Sequence, residues 1–477
     1  MEDALSDISV ATQQHYNDSL YELLSSAPMD LLNQHPNINL NIDVDRLGQI
    51  FTEFNFTRQM QAKEPWLQPQ TFQGAGITAS AFRANSYNID DQEYPLEGVY
   101  RPFTFYVEEV VDQNKTLKIH IHGKHMSHNK RLLDSGVKLA YSPGAPFLTL
   151  LNKANIDDSS ITGLLKAESA EHRFGIFALQ EFSADRIPIF MIHGLNSSPL
   201  IWRKMTMAII NDEQLNSRYQ VWHAFYPSGP PPFYNAMRLR KKMTMMMGRF
   251  AENDIARQQM HVIGHSMGGI IAKTFAIDTQ DVLWNTVFSK PPEYMQEALT
   301  KNPEMQDIFI FEPPVPVNQL FFLDTPHRGS ELASSWIGRL GAGLINLPKR
   351  FTNMFADLIE QFGVEVITPP MRPFLATHGP NSIEVLRPNH PMMTALNEFQ
   401  LPENTFSIVG SDGDLTCPDG DCNQISDGVV AWTSATKKDL VKEEIIVASQ
   451  HDSFNNDEAI AFILRQLRSQ IDKAHLL

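Results

Sequence analysis

Gly264-His265-Ser266-Met267-Gly268 sets one serine hydroxyl inside a G-x-S-x-G frame. Met260–Gly264 is a short apolar run of strand length, and Gly268–Ala276 (GGIIAKTFA) reads as the start of a buried helix. A strand that turns at once into a helix strains the residue at the corner and needs small neighbours two positions away. The return is chemical. The Ser266 hydroxyl stands clear of the backbone, and the Met267 amide points toward whatever that hydroxyl attacks. A chain this long carries the pattern by chance roughly once in ten. The strand before it, the helix after it and a further glycine, Gly269, favour a nucleophile instead.

A serine hydroxyl near neutral pH needs a histidine to take its proton. That histidine needs a carboxylate to hold its tautomer and carry the imidazolium. On a strand–turn–helix scaffold these partners follow the serine on loops after late strands, acid first and histidine last. His451 comes directly after the apolar run Glu443–Ser449 (EEIIVAS) and before the amphipathic stretch Asn456–Lys473, the place for the base. His327 and His390, in the middle of the chain, compete with it. For the acid, Asp427 in Ser426-Asp427-Gly428-Val429-Val430 stands 24 residues before His451. Asp412 and Asp414 lie nearer the end of their strand and are rivals. A lone carboxylate between apolar residues is easier to bury than one in a run of acids, which favours Asp427. The expected oxyanion donors are two backbone amides, those of Leu195, in the turn after Arg186–Gly194, and Met267. His193 in that turn reads as structural.

These positions need a scaffold. Arg186–Gly194 (RIPIFMIHG) is almost continuously apolar, the mark of a central parallel strand buried on both faces. Val221–Tyr226 is the next strand. Phe233–Ala251 is a helix leading to the elbow strand, its Met243, Met245, Met246 and Met247 read as packing. Gln319–Leu323, Thr405–Gly410 and Glu443–Ser449 complete an alternation that predicts a parallel sheet with crossover helices. Two excursions interrupt it, at about 281–317 and 331–404. In the second, Phe351, Met354, Phe355, Leu358, Ile359 and Phe362 recur at helical spacing before Gly363. Plain packing explains that stripe as well as a lid does. Its place over the carboxyl edge of the sheet favours a lid or the wall of an acyl groove.

Four pieces occur in order from about residue 185 onward: HGLNSSP, GHSMGG, DTPHRGS, and SDGVV followed by SQHDS. Through them the chain resembles the α/β-hydrolase superfamily, and within it the bacterial triacylglycerol lipases and the inositol-deacylase-like hydrolases. The resemblance implies an α/β-hydrolase fold over 181–477, a mostly parallel sheet with helices on both faces. It implies a serine hydrolase that cleaves carboxylic esters through an acyl-enzyme on Ser266, with Asp427 and His451 completing a triad. Those lipases carry the acid in an N-D-G-L-V segment, which supports Asp427. They also place a calcium-liganding Asp two residues after the histidine. Ser453 stands there in this chain, so neither a metal nor another cofactor is expected. The motifs leave the acyl chain length open, and with it the choice between lipid, small ester and thioester.

The 477 residues are 42% hydrophobic and 20% charged, ordinary for a globular protein large enough for one big domain and an appendage. A formal net charge of −16 argues against nucleic acid or an anionic membrane as partner. The expected partner is an ester substrate, with transient contact to a lipid interface. No window approaches the ~20 apolar residues of a membrane span, and the opening MEDALSD is acidic where a secretory leader needs a basic start. A soluble protein is expected, cytoplasmic by default, or in the cell envelope if the amino terminus has been processed. Cys417 and Cys422 are either bridged or free thiols.

Residues 1–180 fall outside the resemblance. Residues 1–40 read as a polar arm, and Val44–Phe54 as a short amphipathic helix through Leu47, Ile50, Phe51 and Phe54. Residues 95–180 read as a β-rich accessory region, in which Thr116–His122 (TLKIHIH) alternates as a half-exposed antiparallel strand. His120-x-His122-x-x-His125 has the spacing of the H-x-H-x-D-H box of metallo-β-lactamase-like hydrolases, but Lys124 stands where a carboxylate is needed. Two alternatives therefore stand beside the serine hydrolase. One is a metal-dependent hydrolase using His120, His122 and His125; the other is a hydrolase-shaped chain used only for binding.

Overall fold

The computed structural model of the chain describes residues 10–113, 116–127, 131–134, 136–153, 171–330, 349–375, 382–413, 415–417, 421–437 and 440–474. The chain divides into two units. One is Met1–Ile156 with Leu179–Glu181 and Thr206–Ser217; the other is Asp157–Ala178 with Phe182–Met205 and Arg218–Leu477.

The first unit is built on a sheet of β1 (Ile38–Ile42), β2 (Glu53–Phe56), β3 (Ile77–Arg83), β4 (Val99–Gln113) and β5 (Thr116–His125), in the order β1-β5-β4-β3-β2. The period-2 pattern of TLKIHIH sends Ile119 and Ile121 into a core with Ile77, Ala79, Ala81, Phe103 and Phe105. As expected, β5 runs antiparallel to β4, but its other neighbour, β1, is parallel to it. Two sequence expectations fail here. Part of the polar arm is a 16-residue helix, Val10–Ser25. Its few apolar residues suffice because Leu20 and Leu24 are buried in the core, and the buried Asn17 side chain bridges the Gly74 carbonyl (3.1 Å) and the Gly76 amide (2.8 Å). Val44–Phe54 is not a helix. The Asp45 carboxylate accepts the Leu47 and Gln49 amides and closes a tight loop, Leu47 and Ile50 are exposed, and the chain then enters β2. A buried loop residue (Phe51) followed by a strand residue (Phe54) imitates helical spacing.

The second unit holds β6 (Gly175–Ala178), β7 (Ile187–Ile192), β8 (Tyr219–Phe225), β9 (Met260–His265), β10 (Val317–Leu323), β11 (Thr405–Ser411) and β12 (Glu443–Ala448). Their order is β12-β11-β10-β9-β7-β8-β6, parallel throughout except where the edge strand β6 meets β8. The sheet thus begins before residue 181. The four residues of β6 are too few to carry a readable pattern. β7, β8 and β9 are buried at every position, which is why their sequences run apolar instead of alternating. Each large apolar side chain so buried contributes about 1.5–3 kcal/mol.

Both faces of this sheet are covered, as two adjacent residues of β10 show. Phe321 stacks on Phe406, which meets Phe462 of the closing helix Asp457–Ala474. Phe322, pointing the other way, lies beneath Lys273 of the elbow helix Met267–Lys273. Strand order, direction and two-sided helix cover make this the α/β-hydrolase fold. The expected excursion at 281–317 contains helices Val282–Val287, Gln296–Lys301 and Glu304–Phe309. In the excursion at 331–404, residues 331–348 and 376–381 lie outside the described residues, as does the side chain of Phe351. The stripe lies on a helix, Lys349–Phe362, with Met354, Phe355 and Leu358 buried. Cys417 and Cys422 are bridged. Among the described residues no helix is long and apolar enough to cross a membrane.

Candidate active site

Ser266 occupies the corner between β9 and the elbow helix at φ 54°, ψ −126°, a conformation that L-residues seldom adopt. Its amide continues the sheet by donating to the Leu323 carbonyl at 2.8 Å, so the chain bends only after the last ladder bond. The flanking glycines are explained by contact. A Cβ on Gly264 would lie 2.6 Å from the Cα of Gly269, and one on Gly268 would overlap the carbonyls of Ile192 and His193. Backbone cannot yield there. Gly268→Ala is expected to lose about 1–3 kcal/mol, read as a lower denaturation midpoint. Gly413→Ala, where a Cβ meets open space, is the control. Equal midpoints for the two variants would refute the steric account of the elbow.

His451 follows β12, and its Nε2 lies 2.9 Å from Ser266 Oγ. Its Nδ1 lies 2.7 Å from Asp427 Oδ2. With the proton on Nδ1, the imidazole donates to Asp427 and accepts from the serine. Asp427 is held by its own loop: Oδ1 accepts the Val429 (2.8 Å) and Val430 (2.6 Å) amides, and Gly428 supplies the left-handed step, φ 84°, that closes the turn. Burial by itself would push the His451 pKa down. The hydrogen bond and charge of Asp427, with the charges of Asp324 and Asp452, outweigh it and raise the pKa above its ordinary value.

The turn after β7 comes up against the serine. A Cβ on Gly194 would sit 2.9 Å from Ser266 Cβ. Asn196 is held at φ 50° with its amide donating to Ser228 Oγ at 3.0 Å, while the Tyr226 hydroxyl donates to the His193 carbonyl. The His193 ring stacks on Tyr226 at 4.3 Å, and burial pushes its pKa down to about 4. It is a neutral packing group. The amides of Leu195 and Met267 find no acceptor among the described residues. Met267, at the first helical position, has none within its helix.

Asp324 was not singled out in the sequence. It directly follows β10 at φ 49° with no exposed surface, and its carboxylate accepts the Gly410 (2.8 Å) and Ser453 (3.1 Å) amides. It thereby ties the end of β11 to the loop that carries His451. The available signal was an acid directly after an apolar strand, in DTPHRGS, at a depth where an unpartnered carboxylate would be costly.

The rival residues lie elsewhere. Asp412 Oδ1 accepts from the Gln450 side chain at 3.0 Å, and Asp414 lies outside the described residues. His327 is buried against Phe322, and His390 accepts the Met392 amide at a helix start. The metal-dependent alternative is corrected by strand alternation. His120 pairs with Asn39 (3.2 Å) and His122 with Asp43 (2.8 Å) on one face of β5, whereas His125 turns to the core face and stacks on Phe103 at 5.7 Å. Three histidines split between two faces of a strand cannot close on one ion.

No family model and no curated protein matches the chain. Among solved structures it is similar to a Bacillus licheniformis lipase in its mature form, at 13% identity over 61% of this chain and 97% of that one, TM-score 0.31. It is also similar to Staphylococcus hyicus lipase, at 12% identity over 62% and 100%, TM-score 0.35. A third similarity is to lipase 1 from Pelosinus fermentans, at 12% identity over 60% and 98%, TM-score 0.34.

Proposed function

We propose that this chain is a serine hydrolase that cleaves carboxylic esters through an acyl-enzyme. Ser266 Oγ attacks the ester carbonyl while His451 Nε2 takes its proton, and the oxyanion settles against the Leu195 and Met267 amides. The tetrahedral intermediate collapses, the alcohol leaves with the proton from His451, and the acyl group stays on Ser266. His451 then deprotonates a water that attacks the acyl carbon, which releases the acid and restores the serine. Asp427 holds the imidazole in the one tautomer that can do this. The observation that supports the reading is the unbroken relay from Ser266 to His451 (2.9 Å) to Asp427 (2.7 Å), on loops at the carboxyl ends of parallel strands.

A fluorophosphonate is expected to label metal-free protein once per chain, at Ser266. Labelling that persists in Ser266→Ala would put the nucleophile elsewhere. The substrate class is tested with p-nitrophenyl esters from short to long acyl chains, with and without detergent. The stripe Met354, Phe355 and Leu358 is buried, as a plainly packed helix would have it and as the closed state of a cover that lifts at an apolar interface would. On that reading the long-chain rate jumps once an interface is present. A rate indifferent to the interface would leave a simple esterase whose helix merely packs.

A further inference from the structure

Behind the relay, three side chains converge that ester hydrolysis uses only in part. His265, Asp324 and His451 each offer one ligand atom, and those atoms lie within 4.8 Å of one another. His265 Nε2 is 3.7 Å from Asp324 Oδ2, and the rings of His265 and His451 are 4.9 Å apart between centroids. Among the described residues neither nitrogen of the buried His265 ring has a partner within hydrogen-bond distance. An imidazole buried with both nitrogens unsatisfied is costly unless something fills the place of the missing partner. Asp324 already has the support that a ligating carboxylate needs, since the Gly410 and Ser453 amides fix its orientation.

Two imidazoles and one carboxylate are a donor set that zinc accepts, leaving a fourth position open. Zinc–ligand bonds of about 2.0–2.2 Å in a tetrahedron put neighbouring ligand atoms roughly 3.3–3.5 Å apart. The 3.7 Å between His265 and Asp324 is a few tenths wider, and separations of up to 4.8 Å within the set must shorten by about 1.3 Å, so closing the site takes a movement of the His451 ring as well as a rotation of His265. We propose that His265, Asp324 and His451 form an inhibitory zinc site, and that zinc and ester turnover exclude each other. The exclusion follows from His451 alone. Its Nδ1 is engaged by Asp427 and its Nε2 by Ser266, so coordination through either nitrogen breaks one link of the relay. The effect on turnover rests on the hydrolase reading; the binding does not.

The test uses full-length protein stripped of metal. Zinc is titrated in competition with a chromophoric chelator, and hydrolysis of a p-nitrophenyl ester is followed over the same range. One zinc per chain is expected, with turnover lost in step with occupancy and restored by chelator. In His265→Gln the zinc midpoint should rise at least about tenfold, measured against that variant's own metal-free state, with near-ultraviolet circular dichroism checking the fold. Cobalt in the unaltered protein reports the ligand set independently of any variant, through the visible bands of a four-coordinate nitrogen–oxygen site. Failure to bind zinc at molar excess, an octahedral cobalt spectrum, or equal affinity in a folded His265→Gln would overturn the proposal. If metal-free protein neither hydrolyses esters nor takes up fluorophosphonate, the hydrolase reading fails, and chelator competition still decides the metal site.

Discussion

Ser266→Ala is expected to lower the turnover of a p-nitrophenyl ester by about 10⁶-fold, with little change in KM. The size follows from what the hydroxyl supplies. Without Oγ no acyl-enzyme forms, and His451 is left to activate water from a position set for a serine. The Leu195 and Met267 amides remain, so a residue of about 10³–10⁴ over the uncatalysed rate should survive. The fold should not suffer. Ser266 holds its strained corner through its backbone amide on the Leu323 carbonyl, and alanine keeps that bond. The paired measurements are kcat under saturating ester and uptake of fluorophosphonate, with thermal unfolding as the check on structure. A loss of only a few fold would end the case for Ser266 as nucleophile.

The relay was legible because each member lies beside a local pattern with a physical cause. Ser266 is framed by glycines that the backbone approach demands, Asp427 is a lone acid ahead of Gly428, and His451 follows the last apolar strand. Asp324 was missed because its role is tertiary. Its partners Gly410 and Ser453 are 86 and 129 residues away, and no spacing rule links them to it. The accessory sheet was half legible for a related reason. β5 declared itself by strict alternation. β1 (INLNI) alternates too, but its polar positions are asparagines within a run of Asn and Gln, and the pattern sank into that composition. The helix Val10–Ser25 was hidden because tertiary packing holds it, through Leu20, Leu24 and the Asn17 bridge, whereas its own periodicity is weak. The three histidines of β5 show the converse error. A motif read along the chain ignores that residues an odd number apart on a strand face opposite ways.

Asp427→Asn is the sharper test, because it separates the proposed acid from its rivals and carries a pH signature. The amide can still accept the Val429 and Val430 amides through its oxygen, so the loop should keep its shape. Its NH2 then faces His451 Nδ1 and demands the tautomer with the proton on Nε2, which cannot take the serine proton. A loss of about 10⁴ in kcat follows, against a few fold at most for Asp412→Asn, whose carboxylate is engaged with Gln450. The pH dependence has a definite sign. His451 works as a base only when neutral, so kcat/KM falls as pH drops through its pKa. In the unaltered protein that pKa is raised above the ordinary 6.5: burial lowers it, but Asp427 more than compensates. The acid limb therefore lies above pH 6.5. Removing the Asp427 charge takes away the largest influence that opposes burial and leaves weaker ones, the charges of Asp324 and Asp452 among them, so the limb must shift to lower pH. The variant should be slower at every pH, yet the ratio of the two rates should narrow as the solution is acidified. An acid limb that stays in place in Asp427→Asn, or a larger loss in Asp412→Asn, would remove Asp427 from the relay and return the choice of acid to the loop after β11.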